Sequence, residues 1–455
     1  MKRSDDQLEV AKSMENIPAQ ASSLSDDSDD GVDAATPRVP APALSHWMIA
    51  AAVTGNAIEF FDFLAYSFYS VYIGRAFFPA RNEFFSLLLS LATFGVGFVT
   101  RPLGGFVIGS FADRAGRRPA LVLTISLMTI GTMGVALTPA YATIGIAAPI
   151  ILVLARLVQG LALGGEVGPS TALLLEAAPP GRAGAWVSWQ GASQGMATLM
   201  AGVAGLTLAT LLDAQQLAAW GWRIPFLFGL LIVPVGLYIR RSLPETLETR
   251  DRQPGEASPL RRIWRDHQAA LWLGLTIVMC QTISAYVCSY MTTYALTALA
   301  MPAAQAMVAT VMTGLATIAG ARLGGHLSDR IGRKPVMIVS RALMLLCIYP
   351  AFLFLTHSAN VWSLGSVAAV LALLTSAGTA ASMVALIEIF PNAVRSSGMS
   401  ITNAVSVSLF GGTTQFVNAW LIGTTGNKLS PAYYVIVSSV IGIWAMFKLP
   451  GLRKK

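Results

Sequence analysis

Gly109-Ser110-Phe111-Ala112-Asp113-Arg114-Ala115-Gly116-Arg117-Arg118, followed by Pro119, returns 216 positions later as Gly325-His326-Leu327-Ser328-Asp329-Arg330-Ile331-Gly332-Arg333-Lys334 and Pro335. Both copies read as short basic turns between long apolar runs. A lone Asp-Arg-x-Gly-Arg string carries little information, whereas two copies in matching positions point to a duplicated chain. In a membrane protein, such duplication points to a transporter whose site lies between its halves.

Composition supports a membrane protein. Hydrophobic residues make up 54% of the chain and charged residues 12%, about half the charged fraction of an ordinary soluble domain; mean hydropathy is +0.61. The apolar residues come in blocks near the ~20 needed to cross a hydrocarbon core. Gly-rich runs such as 121–135 lack the alternation of a membrane β-barrel, which leaves an all-α bundle. Residues 1–45 differ in kind, with nine acids against four bases and no apolar run. They read as a disordered acidic tail without a secretory signal. Cys280, Cys288 and Cys347 lie inside apolar runs without metal spacing and read as packing residues.

Twelve spans are predicted, at about 47–73, 84–112, 119–138, 147–172, 185–212, 222–240, 269–297, 304–325, 335–356, 360–386, 396–422 and 431–450. The loops after the even-numbered spans collect Arg114, Arg117, Arg118, Arg182, Arg330, Arg333, Lys334 and Arg395, and the longest adds six arginines between 241 and 265. The opposite loops carry Arg75, Arg81 and Lys428. That asymmetry puts both termini in the cytoplasm. The organisation is then a tail (1–45), a six-helix bundle (46–240), a basic linker (241–267), a second six-helix bundle (268–450) and a short cytoplasmic end (451–455). A second repeat has Glu176-x-x-Pro179-x-x-Arg182 ending the fourth span and Glu388-x-x-Pro391-x-x-x-Arg395 the tenth, with the same hand. This is a parallel repeat about an axis along the membrane normal.

The duplicated turn resembles the signature of the major facilitator superfamily, over the whole chain except the tail. Four stretches resemble its metabolite:proton symporter family. They are Gly55-Asn56-Ala57-Ile58-Glu59-Phe60-Phe61-Asp62-Phe63, Thr100-Arg101-Pro102-Leu103-Gly104-Gly105, Arg156-Leu157-Val158-Gln159-Gly160 with Gly164-Gly165-Glu166, and Trp220-Gly221-Trp222-Arg223-Ile224-Pro225-Phe226. Trp189-Gln190-Gly191-Ala192-Ser193-Gln194 and Phe410-Gly411-Gly412 are similar to the citrate and tricarballylate branch. Val167 departs from the aromatic residue that many relatives carry there. The resemblance implies the major facilitator fold in a bacterial inner membrane, proton coupling, import and a tricarboxylate substrate.

Charge within a span costs a few kcal/mol on insertion scales, so each instance calls for a partner or a water-filled cavity. At ~1.5 Å per residue, Glu59, Asp62, Arg101 and Arg156 fall at similar depth near the bilayer centre, where two acids and two bases could neutralise one another. Glu59, Asp62, Tyr66 and Tyr69 follow one stripe of a helix, and Arg156 shares a face with Gln159. Desolvation and a neighbouring guanidinium act in opposite senses on a buried carboxylate, so Asp62 could gain or lose a proton according to where Arg156 points. The hypothesis is that proton binding to Asp62 or Glu59 frees Arg156 and Arg101 for an anion, which a guanidinium fork suits. A static ion network that only orients helices is the competing reading. Asn56, Tyr66, Gln159, Gln190, Gln194, Tyr290, Tyr294 and Asn403 are the polar residues that could complete a binding chamber; interhelical bonding is as good an account of any one of them.

The repeated turns read as gates. Asp113 and Asp329 end spans 2 and 8, where a carboxylate can cap an incoming helix N-terminus. Arg114, Arg117, Arg330, Arg333 and Arg395 stand near Glu166, Glu176 and Glu388. In the resembled superfamily, such a cluster holds the cytoplasmic side shut.

The function expected is a proton-coupled importer of a tricarboxylate such as citrate or tricarballylate, acting as a monomer by alternating access. Alternatives are a dicarboxylate, an aromatic acid or a zwitterionic osmolyte, and more remotely a non-transporting sensor. The chain stops at Gly451-Leu452-Arg453-Lys454-Lys455 without a coiled coil, which weighs against an osmosensor. His46, His267, His326 and His357 have no nucleophile or metal-ligand spacing, so no enzyme, cofactor or metal is expected, and no nucleic-acid partner. Without a nucleotide-binding loop, the energy comes from an ion gradient; sodium stays open beside the proton.

Overall fold

The computed structural model describes residues 46–449 except 116, 165–170, 172–173, 176–177, 231–233, 235–258 and 392–393. The acidic tail and most of the predicted linker lie outside the described residues. Every regular element among the described residues is a helix.

α1 (His46–Phe68) and α2 (Ser70–Phe77) divide the first predicted span at Tyr69, whose φ of −99° and ψ of 11° leave the helical region. The second span also splits, into α3 (Glu83–Val99) and α4 (Arg101–Ala115). The cause is local. Pro102 has no N–H to give the preceding turn, and the Thr100 hydroxyl turns away to the Leu157 carbonyl at 2.8 Å. α5 (Arg117–Leu137), α6 (Ala147–Leu163) and α7 (Ala183–Leu211) follow, then helix over 224–230 at the start of the sixth span.

α8 (Pro259–Asp266) lies within the stretch expected to be linker, with Ile263 buried against Leu271, Phe390 and Val394. α9 (Gln268–Thr297), α10 (Ala303–Ile331), α11 (Arg333–His357) and α12 (Val361–Ile389) are long and continuous. The eleventh span is α13 (Arg395–Ser406), a π turn (Val407–Gly411) and α14 (Gly412–Thr425), and α15 (Ser430–Lys448) closes the bundle. Among the described residues, seven helices are long and apolar enough to cross a membrane, and two shorter apolar ones accompany them.

The duplicated motif is not a loop. α10 runs through Asp329 and Arg330 to Ile331, and α11 begins at Arg333. The reversal rests on Gly332, whose φ of 99° a side chain would strain. In the first copy helix reaches Ala115 and resumes at Arg117, with Gly116 outside the described residues. The span was expected to end near 325, but α10 continues because Arg322 and Asp329 both find partners at the start of α7.

The described residues fall in one compact unit. α7 packs along α10, α3 against α14 and α1 against α9, joining helices from both sides of the 241–267 stretch. Large apolar residues face outward, among them Phe106, Leu211, Leu346 and Phe447. An exposed apolar mantle over a bundle with polar groups inside suits a hydrocarbon surround.

Candidate functional site

α4 and α6 cross almost backbone to backbone. A Cβ on Gly160 would stand 2.5 Å from the Thr100 hydroxyl, and one on Gly164 would strike the Arg101 carbonyl. This contact brings the first turn of α4 beside the last turn of α6, and both Arg101 and Arg156 are buried. Arg156 is fully buried and Arg101 is 6% exposed.

Neither guanidinium meets a carboxylate among the described residues. Both lie over the Phe63 ring, at 4.5 Å for Arg101 and 4.6 Å for Arg156. Phe98 faces Arg101 at 4.1 Å, and Tyr66 and Phe94 face Arg156 at 4.5 and 5.2 Å. The Tyr286 ring of α9 packs on Phe94 and Phe98 and so closes the cage from the other bundle. Nε and Nη2 of both arginines have no hydrogen-bond partner among the described residues. Desolvating an ion costs several kcal/mol, while each cation–π contact returns about 0.5–2 kcal/mol. The aromatic cage therefore leaves N–H donors and positive charge in excess, which an anion would satisfy.

The expected direct pairing of Asp62 with Arg156 is absent among the described residues; two neutral side chains intervene. Arg156 Nη1 donates to Gln159 Oε1 at 2.7 Å, and Gln159 Nε2 donates to Thr132 Oγ1 at 3.0 Å. Thr132 in turn donates to Asp62 Oδ2 at 2.9 Å. Asp62 Oδ1 has no hydrogen-bond partner among the described residues and lies against Gly229. Helix rotation accounts for the difference. Phe63 takes the side of α1 that faces both arginines, and Asp62 is turned toward α5. The backbone of Glu59 is helical and its side chain is outside the described residues.

Other predicted polar residues separate into two groups. Asn56 donates to Ser193 at 2.6 Å and accepts from Gln190 at 3.2 Å, tying α1 to α7. Tyr66 belongs to the cage, and its hydroxyl donates to the Ser90 carbonyl at 3.3 Å. Gln194 and Asn403 are half-buried. Tyr290 sits in an apolar cluster with Ile348 and Leu371, and Tyr294 packs edge-on against Phe352 and donates to the Lys428 carbonyl at 3.0 Å. The structure does not bring Tyr290 or Tyr294 to the arginines, because α9 turns them toward α11 and α12. Sequence reasoning missed Phe63, Phe94, Phe98 and Tyr286 in the cage and Thr132 in the relay. The Phe60-Phe61-Asp62-Phe63 run was a usable signal for the first; a threonine in an apolar span gives none.

At the end of the bundle carrying the repeats, Asp329 caps α7. Its carboxylate accepts from Gly184 N at 2.7 Å and Ala185 N at 2.8 Å, and from Arg333 Nη1 at 3.1 Å. Arg333 also reaches Glu388 at 3.4 Å. Arg322, which the sequence reading passed over, donates to the Ala185 carbonyl at 2.6 Å and lies over Trp189 at 4.3 Å. Gly184 and Gly325 allow this approach of α7 and α10, since a Cβ on Gly325 would stand 2.6 Å from Ser188 Cβ. Arg330 is exposed beside a pocket of about 400 Å³ there. Side chains of Asp113, Arg114, Arg117 and Arg395, and all of Glu166 and Glu176, lie outside the described residues.

The model of the sugar (and other) transporter family matches residues 47–258 and 246–455. The chain belongs to that transporter family, within the major facilitator superfamily. It is 37% identical to the citrate-proton symporter of Klebsiella pneumoniae over 396 residues, 86% of this chain and 89% of the relative. It is 34% identical to the alpha-ketoglutarate permease of Escherichia coli, over 87% of this chain and 91% of that one. Identity to the glycine betaine/proline/ectoine/pipecolic acid transporter OusA of Dickeya dadantii is also 34%, over 87% and 81%. Among solved structures, a D-xylose-proton symporter superposes with a TM-score of 0.72 at 20% identity, covering 90% of this chain and 99% of that one. The fold is therefore the all-α transporter fold of twelve membrane helices in two six-helix bundles, and the family member is a multi-pass membrane protein.

Proposed function

We propose that this family member is a proton-coupled symporter carrying a di- or tricarboxylate, with citrate the leading substrate. The observation that carries this reading is the pair of buried arginines with unpartnered N–H groups in an aromatic cage. The similarity to a citrate-proton symporter supports the same substrate class. A zwitterionic osmolyte, suggested by the third relative, would set its own cation against two guanidinium charges. Its carboxylate would still find donors, so proline belongs in the test.

The relay supplies a route for coupling. With Asp62 ionised, Thr132 donates to it, Gln159 donates to Thr132, and the Gln159 oxygen holds Arg156. Once Asp62 binds a proton it can donate to Thr132, whose own proton then turns toward Gln159. An amide flip at Gln159 answers by presenting oxygen to Thr132 and N–H₂ to Arg156. Two donors then face each other, and Arg156 is released toward a substrate carboxylate. Proton and anion binding favour each other through neutral side chains.

The Asp329 cap on α7 and the Arg333–Glu388 pair act as a gate, with Asp113, Arg114, Arg117, Glu166, Glu176, Arg330 and Arg395 in the corresponding cluster. The protein sits in a bacterial inner membrane with both termini cytoplasmic, works as a monomer and uses no cofactor.

The test is uptake of labelled citrate into proteoliposomes with and without an imposed pH gradient. It is paired with thermal stabilisation of the purified protein by citrate, tricarballylate, cis-aconitate, 2-oxoglutarate and proline. Stabilisation by polycarboxylates and gradient-driven uptake are expected. Stabilisation by proline alone would overturn the carboxylate reading, and uptake indifferent to the gradient would overturn proton coupling.

A further inference from the structure

Arg341, on α11, is a third arginine inside an apolar span, 2% exposed. Its Nη1 donates to Ser284 Oγ at 2.5 Å and its Nη2 to Gln281 Oε1, both on α9. Nε has no protein partner, and no ion pair joins Arg341 to a carboxylate among the described residues. Gln281 is held in turn from α12, donating to Ser382 at 2.9 Å and accepting from Thr379 at 3.3 Å.

The arrangement repeats the one around Arg156. There too a buried guanidinium is latched by a glutamine oxygen, keeps an unpartnered Nε and has no carboxylate partner. One latched arginine lies in each six-helix bundle. A guanidinium serving only to brace α9 against α11 would be a costly choice. Burying the charge costs several kcal/mol, and a neutral amide could make the same two bonds to neutral acceptors. A glutamine latch does what a carboxylate could not: it occupies the fork weakly and yields it to a stronger acceptor.

We propose that Arg341, Gln281 and Ser284 form a second anion subsite, which takes a further carboxylate of a polycarboxylate whose other groups lie on Arg101 and Arg156. The proposal rests on the carboxylate reading above and deepens it. Both subsites address α9. The Tyr286 ring packs on Phe94 and Phe98 of the Arg101 cage, and Gln281 precedes it by about 7.5 Å along the helix axis. Rotation of the Gln281 side chain uncovers the Arg341 fork. A ligand with three carboxylates can engage both bundles through charged groups, whereas one with two is satisfied at the cage.

The experiment measures citrate and succinate binding to the purified full-length protein by calorimetry, for wild type, Arg341→Gln and Arg341→Lys, with melting of each unliganded protein as the folding control. Chloride is titrated alone in parallel. Arg341→Gln should weaken citrate about 10- to 100-fold and leave succinate within about threefold. Arg341→Lys keeps the charge but loses the fork, so it should weaken citrate selectively and less, and it carries the test if the glutamine variant does not fold. Equal losses for citrate and succinate, or none, would overturn the subsite. Chloride stabilisation lost with Arg341 would overturn it in favour of an inorganic ion site. If the wild type binds neither acid, the carboxylate reading fails and the subsite with it; if it binds citrate and the variants match it, the subsite alone fails.

Discussion

Replacing Asp329 with asparagine should shift the transporter toward opening at the end where α7 meets α10. The Asp329 side chain is 9% exposed and accepts two backbone N–H bonds from the first turn of α7, at 2.7 and 2.8 Å, besides its 3.1 Å contact with Arg333. Asparagine keeps one oxygen, so one N–H of Gly184 or Ala185 would face the amide N–H₂ and lose its acceptor. A hydrogen bond involving a charged group is worth about 1.5–3 kcal/mol, and a carboxylate at a helix N-terminus adds about 0.3–1 kcal/mol. Arg333 retains the Ser328 carbonyl at 2.7 Å and Glu388 at 3.4 Å, so most of its share survives. The net loss, roughly 2–4 kcal/mol, falls on the state in which α7 and α10 touch and lowers its population relative to the open state by about 30- to 1000-fold. Spin labels at Arg182→Cys and His326→Cys, both exposed, report the separation; Cys280 and Cys288 are buried, and half-buried Cys347 is replaced by alanine. The distance distribution should gain a longer component in Asp329→Asn, with uptake reduced and substrate binding retained. An unchanged distribution in a folded variant would refute the gate, and parallel loss of binding and melting temperature would mark Asp329 as purely structural.

Asp62→Asn should abolish accumulation of citrate driven by a pH gradient while citrate exchange across the same vesicles persists; accumulation at wild-type level would remove Asp62 from coupling. Thr132→Val keeps the shape but strips Gln159 Nε2 and Asp62 Oδ2 of their shared partner. At about 1–3 kcal/mol per unsatisfied group, it should lower the melting temperature and the proton-to-substrate ratio together, and an unaltered ratio would exclude the relay. Gly160→Ala forces a methyl group against Thr100 and the Gly97 carbonyl, which should cost about 1–3 kcal/mol or more. Citrate affinity should fall with it as Arg101 shifts; a variant as stable as wild type would show that α4 and α6 can part freely.

Some of the site was legible before any coordinates. A charge inside an apolar run is expensive whatever surrounds it, so Asp62, Arg101 and Arg156 stood out, and all three are buried in the bundle. The same reasoning applies to Arg341 within the 335–356 run and to Arg322 near the end of the 304–325 run, neither of which the sequence reading singled out. Tyr290 and Tyr294 misled because a phenol in a span is equally good as a packing group, and α9 has polar residues on more than one side.

Linear order was enough to show a bundle of membrane helices and its duplication, since transfer of a side chain into hydrocarbon depends on its own chemistry and its distance from the span ends. Which partner each charge meets was decided by the packed bundle alone. Rotating α1 by one residue, about 100°, exchanges Asp62 for Phe63 in front of the arginines. That rotation is set by contacts with α3, α5, α7 and α9 together. It makes the cage aromatic and sends the carboxylate to Thr132, because lateral packing senses shape across several helices at once, and no single apolar run records it.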